Sequence, residues 1–228
     1  MTQHLMGGNA VINVTYSVDE LQADLWTKCG SPGGVVTVVC TINAGVVLYG
    51  GTSSVGSLTI PTGFAVGSNI TITNLGSIYG RGGNGGAGGN TSGGAGTNGA
   101  KGGIAIDMYR NISISNASGE IFAGGTGGKG GKAGAVWGGP GGGGGQGKGN
   151  SSGGASGTGA FQSGAGTGGN VAGHGNAASA GGDASAGFNG KNWGGYDTGS
   201  PPQAVSLNAN TLTWIDGNDS VHVKGVQS

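Results

Sequence analysis

The side chains best able to do chemistry in this sequence are three histidines and two cysteines. No motif pairs His4, His174 or His222 with a nucleophile or a carboxylate at a spacing typical of catalytic groups. Cys29 and Cys40 flank the segment GSPGGVVTVV, and this spacing matches no zinc or redox motif. We therefore predict buried free thiols rather than a disulfide, and we expect no metal site, no cofactor and no enzymatic activity.

Glycine-rich motifs raise phosphate binding as a second possibility. Gly80, Gly82 and Gly85 fit the GxGxxG spacing, but that motif binds dinucleotides only at the strand-to-helix turn of a βαβ unit. No such unit is predicted around these residues. Nucleotide binding is therefore not expected.

Composition narrows the class of protein. Glycine supplies 61 of the 228 residues, and 9 basic residues balance 9 acidic ones. So much glycine excludes an ordinary helix-rich globule, and a neutral chain lacks the high net charge typical of disordered proteins. A neutral chain also lacks the net positive charge with which proteins bind the phosphate backbone of nucleic acid. With no basic leader and no apolar run of about 20 residues, we expect a soluble protein made without a signal peptide.

The segments outside the glycine-rich part predict short strands and one helix. Strands are predicted for AVINVTY, VVTVVCTI, VVLY, SLTI and NITITNL, which are rich in β-branched residues and end in glycine or Asn/Ser turns. The segment SVDELQADLW predicts a helix, because Ser17 and Glu20 have capping-box spacing and Val18, Leu21 and Leu25 repeat at helical intervals. The lone helix is expected to pack on strands.

One internal repeat indicates how the strands are arranged. The segment NITITNLGSIYGRGG, from Asn69, recurs as NISISNASGEIFAGG, from Asn111, and the tail from Asn210 shows the same alternation in looser form. Repeated strand units of this kind stack on one another, each burying what its neighbour cannot. We therefore predict a stacked-strand, β-helix-like base that the glycine-rich stretches leave and re-enter.

Within those stretches glycine follows a period of three. In residues 80–89 glycine fills two of every three positions, which leaves Arg81, Asn84 and Ala87 in the third column. Three residues per turn is the period of the polyproline II conformation, which has no internal hydrogen bonds. Such segments are stable side by side, because glycine columns let backbones approach closely. The pattern predicts an ordered bundle of such segments, rather than collagen or a flexible linker.

With its motifs YGRGGNGGAGGN, FAGGTGGKGGKAG and GGPGGGGGQGKG, non-glycine spacers and β-rich first part, the chain resembles the receptor-recognising adhesins that cap the long tail fibres of T-even-type bacteriophages. The resemblance implies a β-rich fibre-attachment domain (1–79 with 104–123 and 200–228) and a polyglycine II receptor-binding domain (80–103 with 124–199). The second domain would be a sandwich of antiparallel polyglycine II helices. It also implies two partners: a trimeric distal tail-fibre protein and a bacterial outer-membrane protein, with lipopolysaccharide as a further candidate contact. Localisation would be the tip of the fibre in the virion.

Chain direction sorts the turns of the glycine-rich part. The first segment leaves the base after Tyr79 and the second returns before Ile104, so the turn between them lies at the end far from the base. The turns that follow then alternate between the near end and the far end. Aromatic residues, which dominate binding hot spots, fall on the far turns. The predicted receptor-binding residues are Asn90, Thr91, Val136, Trp137, Phe161, Gln162, Phe188, Asn192 and Trp193. The predicted fibre-attachment residues are Leu5, Met6, Trp26 and Trp214.

The leading functional hypothesis is thus an adhesin whose far turns bind a surface receptor and determine host range. An ice-binding protein is the alternative, since stacked polyglycine II helices can form a flat face. The presence of Lys129 and Lys132 in one column and of tryptophans on turns argues against such a face. A disordered or elastic structural protein is a third class, which the glycine columns disfavour.

Overall fold

The architecture is a three-sided parallel β-solenoid, seen in a computed structural model that describes residues 10–52, 54–84, 86, 95–125 and 203–227. In this part of the chain fifteen strands form three five-stranded sheets, and every strand pair within them is parallel. Successive strands along the chain pass from one sheet to the next, so that three strands make one coil and five coils stack. This arrangement matches the predicted stacked-strand base.

The five coils follow one another in chain order. The first contains β1 (Ala10–Tyr16), β2 (Glu20–Leu21) and β3 (Ala23–Asp24), and the short helix α1 (Leu25–Lys28) follows it. The second contains β4 (Val36–Ile42), β5 (Val47–Tyr49) and β6 (Leu58–Ile60). The third contains β7 (Asn69–Asn74), β8 (Ser77–Tyr79) and β9 (Ile106–Met108). The fourth contains β10 (Ile112–Ser115), β11 (Glu120–Phe122) and β12 (Gln203–Ser206). The fifth contains β13 (Leu212–Asp216), β14 (Val223–Lys224) and β15 (Val226–Gln227).

Each sheet takes one strand from every coil. Sheet A contains β1, β4, β7, β10 and β13; sheet B contains β2, β5, β8, β11 and β14; sheet C contains β3, β6, β9, β12 and β15. The five predicted strands all form, as β1, β4, β5, β6 and β7. Their apolar alternation is the reason, because it places one face of each strand inside the solenoid.

The core runs along the solenoid axis as stacked rows of aliphatic side chains. In sheet A, Cys40 and Ile114 flank Ile72 in register, and all three are fully buried. Equivalent rows come from the other two sheets, so each coil buries the apolar face of the next. Full burial of one such side chain contributes about 1.5–3 kcal/mol to folding. Stability therefore depends on neighbouring coils being present.

The two copies of the internal sequence repeat pair with each other. Thr71 and Ile72 of β7 lie directly opposite Ser113 and Ile114 of β10, in the register of the repeat. At the end of these strands the side-chain amide of Asn74 donates to the side-chain oxygen of Asn116 at 2.7 Å, and both residues are buried. The repeat is therefore a pair of adjacent coils.

The helix predicted over SVDELQADLW is wrong in extent. Glu20–Leu21 and Ala23–Asp24 are strands that pair with β5 and β6, and the helix covers only Leu25–Lys28. Gln22 has a φ of 51°, which turns the chain between two sheets and breaks any helix. Parallel pairing with the second coil thus overrides local helical propensity.

Local contacts show what replaces the predicted capping box. The side chain of Asp19 accepts a hydrogen bond from the amide of Val47 at 2.8 Å, and Asp24 rather than Ser17 caps the helix through the amide of Thr27. Val18 and Leu21, expected on the apolar face of a helix, are exposed.

Candidate functional site

The glycine-rich segments leave the solenoid at one corner, between sheet B and sheet C. In the third coil they separate Tyr79, the end of β8, from Ile106, the start of β9; in the fourth they separate β11 from β12. In the first and fifth coils a single residue makes the same turn, Gln22 or Gly225. The glycine-rich part is therefore inserted twice at a corner that a single residue makes in the first and fifth coils and that residues 50–57 make in the second.

Three described segments pack together at this corner: leg 1 (residues 80–84 and 86), leg 2 (95–103) and leg 3 (123–125). Leg 1 runs parallel to leg 3, because the amides of Gly80 and Gly83 donate to the carbonyls of Phe122 and Gly125, each at 2.8 Å. The donors and the acceptors are both three residues apart. A step of three matches the period that the sequence predicts.

Leg 2 runs antiparallel to leg 1 with the same step. The amides of Ala100 and Gly103 donate to the carbonyls of Asn84 and Arg81 at 2.7 and 2.6 Å, so that donors rise by three while acceptors fall by three. The amide of Gly124 in leg 3 then donates to the carbonyl of Gly103 at 2.9 Å. Leg 1 donates to leg 3, leg 3 to leg 2 and leg 2 to leg 1, which forms a closed cycle.

The legs approach so closely that several positions accept glycine alone. A Cβ atom placed on Gly83 would overlap the backbone carbonyl of Ala100, and one on Gly124 would overlap that of Arg81. The same holds for Gly80 against Gly103, Gly86 against Thr97 and Gly102 against Gly124. Backbone atoms cannot move aside as a side chain can. The glycines therefore permit contact between the legs rather than supply flexibility.

Polar groups fix the legs to the solenoid. The guanidinium of Arg81 donates to the carbonyl of Gly51 in the second coil. The hydroxyl of Ser57 donates to the carbonyl of Tyr79 at 2.7 Å, at the point where leg 1 begins, and its amide donates to Ile104 at 3.2 Å, where leg 2 ends. The second coil thus holds the root of the glycine-rich part. Sequence reasoning missed Ser57 because a single serine in a strand-turn segment carries no signal.

Beside this root, the outer face of sheet B carries an aromatic row. Tyr79 stacks on Phe122 with ring centroids 5.5 Å apart, and the ammonium of Lys224 lies 4.4 Å from the centre of the Phe122 ring. The Tyr79 hydroxyl hydrogen-bonds to Glu120. Burial, and then this bond, raise the pKa of Tyr79 above its usual range. These contacts join the third, fourth and fifth coils at the outer surface.

The two described fibre-attachment candidates lie far apart along the solenoid. Trp26 lies on α1 after the first coil, packs against Gly63 and donates to the carbonyl of Pro32 at 3.4 Å. Trp214 lies on β13 in the fifth coil, is partly buried, and donates to Gln227 at 2.9 Å. With about 4.8 Å between strands, first and fifth coils are about 19 Å apart. One end-on contact cannot include both.

The predicted free thiols are present. Cys40 is buried within the core, Cys29 is partly exposed at the end of α1, and neither forms a disulfide. Burial raises the pKa of Cys29 to about 11 and that of Cys40 to about 12. Both thiols are therefore protonated at neutral pH and poor nucleophiles.

Among the described residues, one histidine does pair with a carboxylate. His222 Nδ1 lies 2.8 Å from Asp219, and this contact holds the pKa of Asp219 below its usual value. The described part of the chain contains no group of three His, Cys, Asp or Glu side chains that could bind a metal. It also contains no helix long and apolar enough to cross a membrane.

The predicted receptor-binding residues all fall outside the described part of the chain, as do two of the fibre-attachment candidates. These residues are Asn90, Thr91, Val136, Trp137, Phe161, Gln162, Phe188, Asn192, Trp193, Leu5 and Met6. Their assignment stays a prediction.

Comparisons with known proteins agree with this geometry. The family model described as "Phage tail fibre adhesin Gp38" matches residues 9–226. Among solved structures, the gp37-gp38 adhesin tip complex of the bacteriophage S16 long tail fiber matches with a TM-score of 0.56 and 24% identity. That match covers 96% of this chain and 82% of the other. No curated protein matches the sequence.

At 24% identity the structural match shows a shared fold, whereas the match to the family model shows membership of the family. Adhesin membership indicates a structural, non-enzymatic component of the virion. Neither comparison supports the ice-binding alternative. Because the family model covers almost the whole sequence, this chain belongs to the Gp38 family of phage tail fibre adhesins.

Proposed function

We propose that this adhesin binds a bacterial outer-membrane protein through the far turns of its glycine-rich part, and thereby determines host range. The observation that carries the proposal is the root of that part, where three legs are closely packed and bonded in a cycle. A flexible linker would not need backbone contacts at every third residue. A stiff scaffold suits the presentation of binding turns away from an attachment point.

The scaffold in this proposal is a sandwich of polyglycine II helices. Hydrogen bonds at every third residue, to two different neighbouring legs, support that conformation, because it has three residues per turn and no internal bonds. The burial of neighbouring residues also fits: Asn84 and Lys101 are exposed, while the adjoining Gly83 and Gly102 are buried. We extend this arrangement to residues 80–103 with 124–199 as the receptor-binding domain.

The direction of the legs supports the assignment of the far turns. Leg 1 leaves sheet B, leg 2 returns antiparallel to it, and leg 3 leaves again parallel to leg 1. This is the alternation on which the count of turns depends. Continued through the later segments, it puts Trp137 and Phe161 at the far end, where aromatic side chains offer large contact area with few rotors to freeze.

The remainder of the chain, 1–79 with 104–123 and 200–228, is proposed as the fibre-attachment domain. The S16 structure is described as a gp37-gp38 complex, which supports a tail fibre protein as partner. We propose that this partner is the trimeric distal fibre protein. The adhesin would be made in the host cytoplasm, and lipopolysaccharide would supply further contacts beside the receptor.

Binding of the purified chain to bacteria tests the proposal. The labelled adhesin is mixed with susceptible cells, with cells lacking each major outer-membrane protein in turn, and with cells carrying truncated lipopolysaccharide. We expect saturable binding that one protein deletion abolishes and that lipopolysaccharide truncation only weakens. Equal binding to all protein deletion strains would contradict the proposal. A thermal-hysteresis assay on the same sample tests the ice-binding alternative.

A further inference from the structure

An open polar groove crosses the outer side of sheet A in the third, fourth and fifth coils. It encloses about 280 Å³ at the beginnings of β7, β10 and β13, and two of its lining residues, Ile70 and Ile112, are buried. The other lining residues are all polar: Ser68, Asn69, Asn111, Ser113, Thr211 and Thr213. The volume lies just below the range of about 300–1,000 Å³ that is typical of small-molecule sites. The groove is therefore large enough for one or two six-membered rings.

Several polar groups in the groove are available to a ligand. The carboxamide of Asn69 and the hydroxyls of Ser113 and Thr213 have no hydrogen-bond partner among the described residues. The carboxamide of Asn111 has a fixed orientation, because its Oδ1 accepts from the amide of Thr211 at 2.9 Å, and its NH₂ group is left as a donor. Ser113 and Thr213 are in register on neighbouring strands, which lie about 4.8 Å apart. The groove thus offers donors and acceptors at fixed positions.

The groove carries no charge of its own. None of its described lining residues is acidic or basic. Arg110, which precedes Asn111 in the chain, is engaged elsewhere, because its guanidinium donates to the carbonyls of Phe64 and Thr62 at 2.7 and 2.6 Å. At the other end of β13 the carboxylate of Asp216 accepts from the hydroxyl of Ser115 at 2.9 Å. The charged groups on both sides are therefore already paired within the protein.

This chemistry selects a neutral ligand that is rich in hydroxyl groups. Phosphates and carboxylates bind where cationic side chains or helix N-termini face them, and the described lining of the groove has neither. An apolar ligand would leave the amide and hydroxyl groups of the groove without partners, which is costly. A sugar hydroxyl both donates and accepts, as the serine and threonine hydroxyls do. A sugar can therefore replace the water bound by these groups.

We propose that this groove binds a neutral sugar segment of a bacterial surface polysaccharide. The inference rests on the proposed cell-binding function and gives its sugar contact a place in the fold. Sheet A is the side of the solenoid across from the corner between sheets B and C, where the legs leave. A glycan held on sheet A leaves the legs uncovered, so one adhesin can hold protein and sugar together. Two linked contacts of this kind bind more tightly than either alone.

The double variant Ser113→Ala with Thr213→Val tests the groove. It removes two hydroxyls and adds little or no volume, so the solenoid should keep its packing. Thr41→Val is the matched control, because Thr41 lies on the same outer side of sheet A in the second coil and outside the groove. Melting temperature checks the folding of each variant. Asn69→Ala replaces the double variant if the latter fails to fold.

Two probes separate the possible sources of the sugar. One is the delipidated polysaccharide of lipopolysaccharide from a susceptible strain, and the other is capsular polysaccharide, each freed of charged components. NMR titration of the purified adhesin measures the affinity for each probe at low and at high salt. The source is identified by the probe that binds.

We expect the wild-type chain to bind one of the probes and the double variant to bind it about tenfold more weakly, as for the loss of two hydrogen bonds. Thr41→Val should match the wild type. Affinity should be the same at both salt concentrations, because screening weakens only charged contacts. Wild-type affinity of the double variant, an equal loss with Thr41→Val, or binding that high salt abolishes would overturn the proposal.

Cell binding distinguishes failure of this inference from failure of the receptor function. If neither probe binds while deletion of one outer-membrane protein abolishes cell binding, the groove proposal is wrong and the receptor function stands. If a probe binds through the groove while no protein deletion alters cell binding, the receptor function is wrong and the groove stands.

Discussion

The carbonyl oxygen of Ala100 occupies the place where a side chain on Gly83 would begin. The two residues lie on antiparallel legs, and leg 2 donates hydrogen bonds to the carbonyls of Arg81 and Asn84 on either side of Gly83. Both sides of the contact are backbone, so neither can rotate away. Glycine at this position is thus a packing requirement of the glycine-rich part.

Replacement of Gly83 by alanine should therefore destabilise the protein. We expect a loss of about 1–3 kcal/mol in the free energy of unfolding, the typical cost of overpacking, or insoluble expression. Chemical denaturation of the purified variant measures the change. Gly33→Ala is the matched control, because a Cβ atom on Gly33 meets nothing within 4 Å. Equal stability of the two variants would refute close packing of the legs.

Removal of the Arg81 side chain should loosen the root of the legs. Its guanidinium donates to the Gly51 carbonyl, and a hydrogen bond from a charged group contributes about 1.5–3 kcal/mol. We expect Arg81→Ala to lower the melting temperature and to increase hydrogen exchange at Gly103, whose amide donates to the Arg81 carbonyl. Lys101→Ala, at an exposed position of leg 2, is the control and should change neither.

The shifted thiol pKa values predict slow alkylation. With pKa values of about 11 for Cys29 and about 12 for Cys40, the thiolate at pH 8 is about 0.1% and about 0.01% of each population. Iodoacetamide should thus modify the partly exposed Cys29 faster than the buried Cys40, and both far more slowly than after unfolding in urea. Mass spectrometry of timed digests measures the two rates. Rapid modification of Cys40 in the folded protein would contradict its burial.

The strands could be predicted from sequence because the alternation of apolar and polar residues matches the alternation of buried and less buried side chains. Ile70 and Ile72 alternate with Thr71 and Thr73, and the same alternation at Ile112 and Ile114 marks the adjacent coil. The helix prediction was wrong in extent because its apolar pattern does not match the burial of the residues. Val18, Leu21 and Leu25 have a helical spacing, but the partners of β2 and β3 in the second coil are distant in sequence. Local pattern carries no information about such pairing.

The glycine columns predicted the spacing of contacts between legs but not their partners. Asn84 in the remaining column is exposed, whereas Arg81 in the same column bonds to Gly51 of the second coil, a difference that the period of three does not reveal. The cycle of hydrogen bonds depends on where the fourth coil places Gly124, and sequence spacing alone does not give that. The role of the corner between sheets B and C was equally hidden, because it appears only when five coils are superposed. The assignment of the far turns still rests on the sequence.

The far turns give the sharpest functional prediction, concerning Trp137 and Phe161. Truncation of an aromatic anchor in an interface costs about 2 kcal/mol or more, which is about thirtyfold in affinity, whereas an exposed ring without a partner costs little. We therefore expect Trp137→Ala combined with Phe161→Ala to abolish binding to susceptible cells. Melting temperature and fibre capture should remain at wild-type values, because these turns lie far from the root in the proposed arrangement.

The control for this variant lies on a turn that the count assigns to the near end. Ser151→Ala with Ser152→Ala should leave cell binding unchanged, since that turn faces the solenoid rather than the receptor. Flow cytometry with labelled adhesin measures binding for both double variants at matched concentrations. The opposite result, in which the serine changes abolish binding and the aromatic changes do not, would show that the legs between Gly124 and Phe161 do not alternate as counted. The receptor would then contact the near side of the glycine-rich part, beside the solenoid.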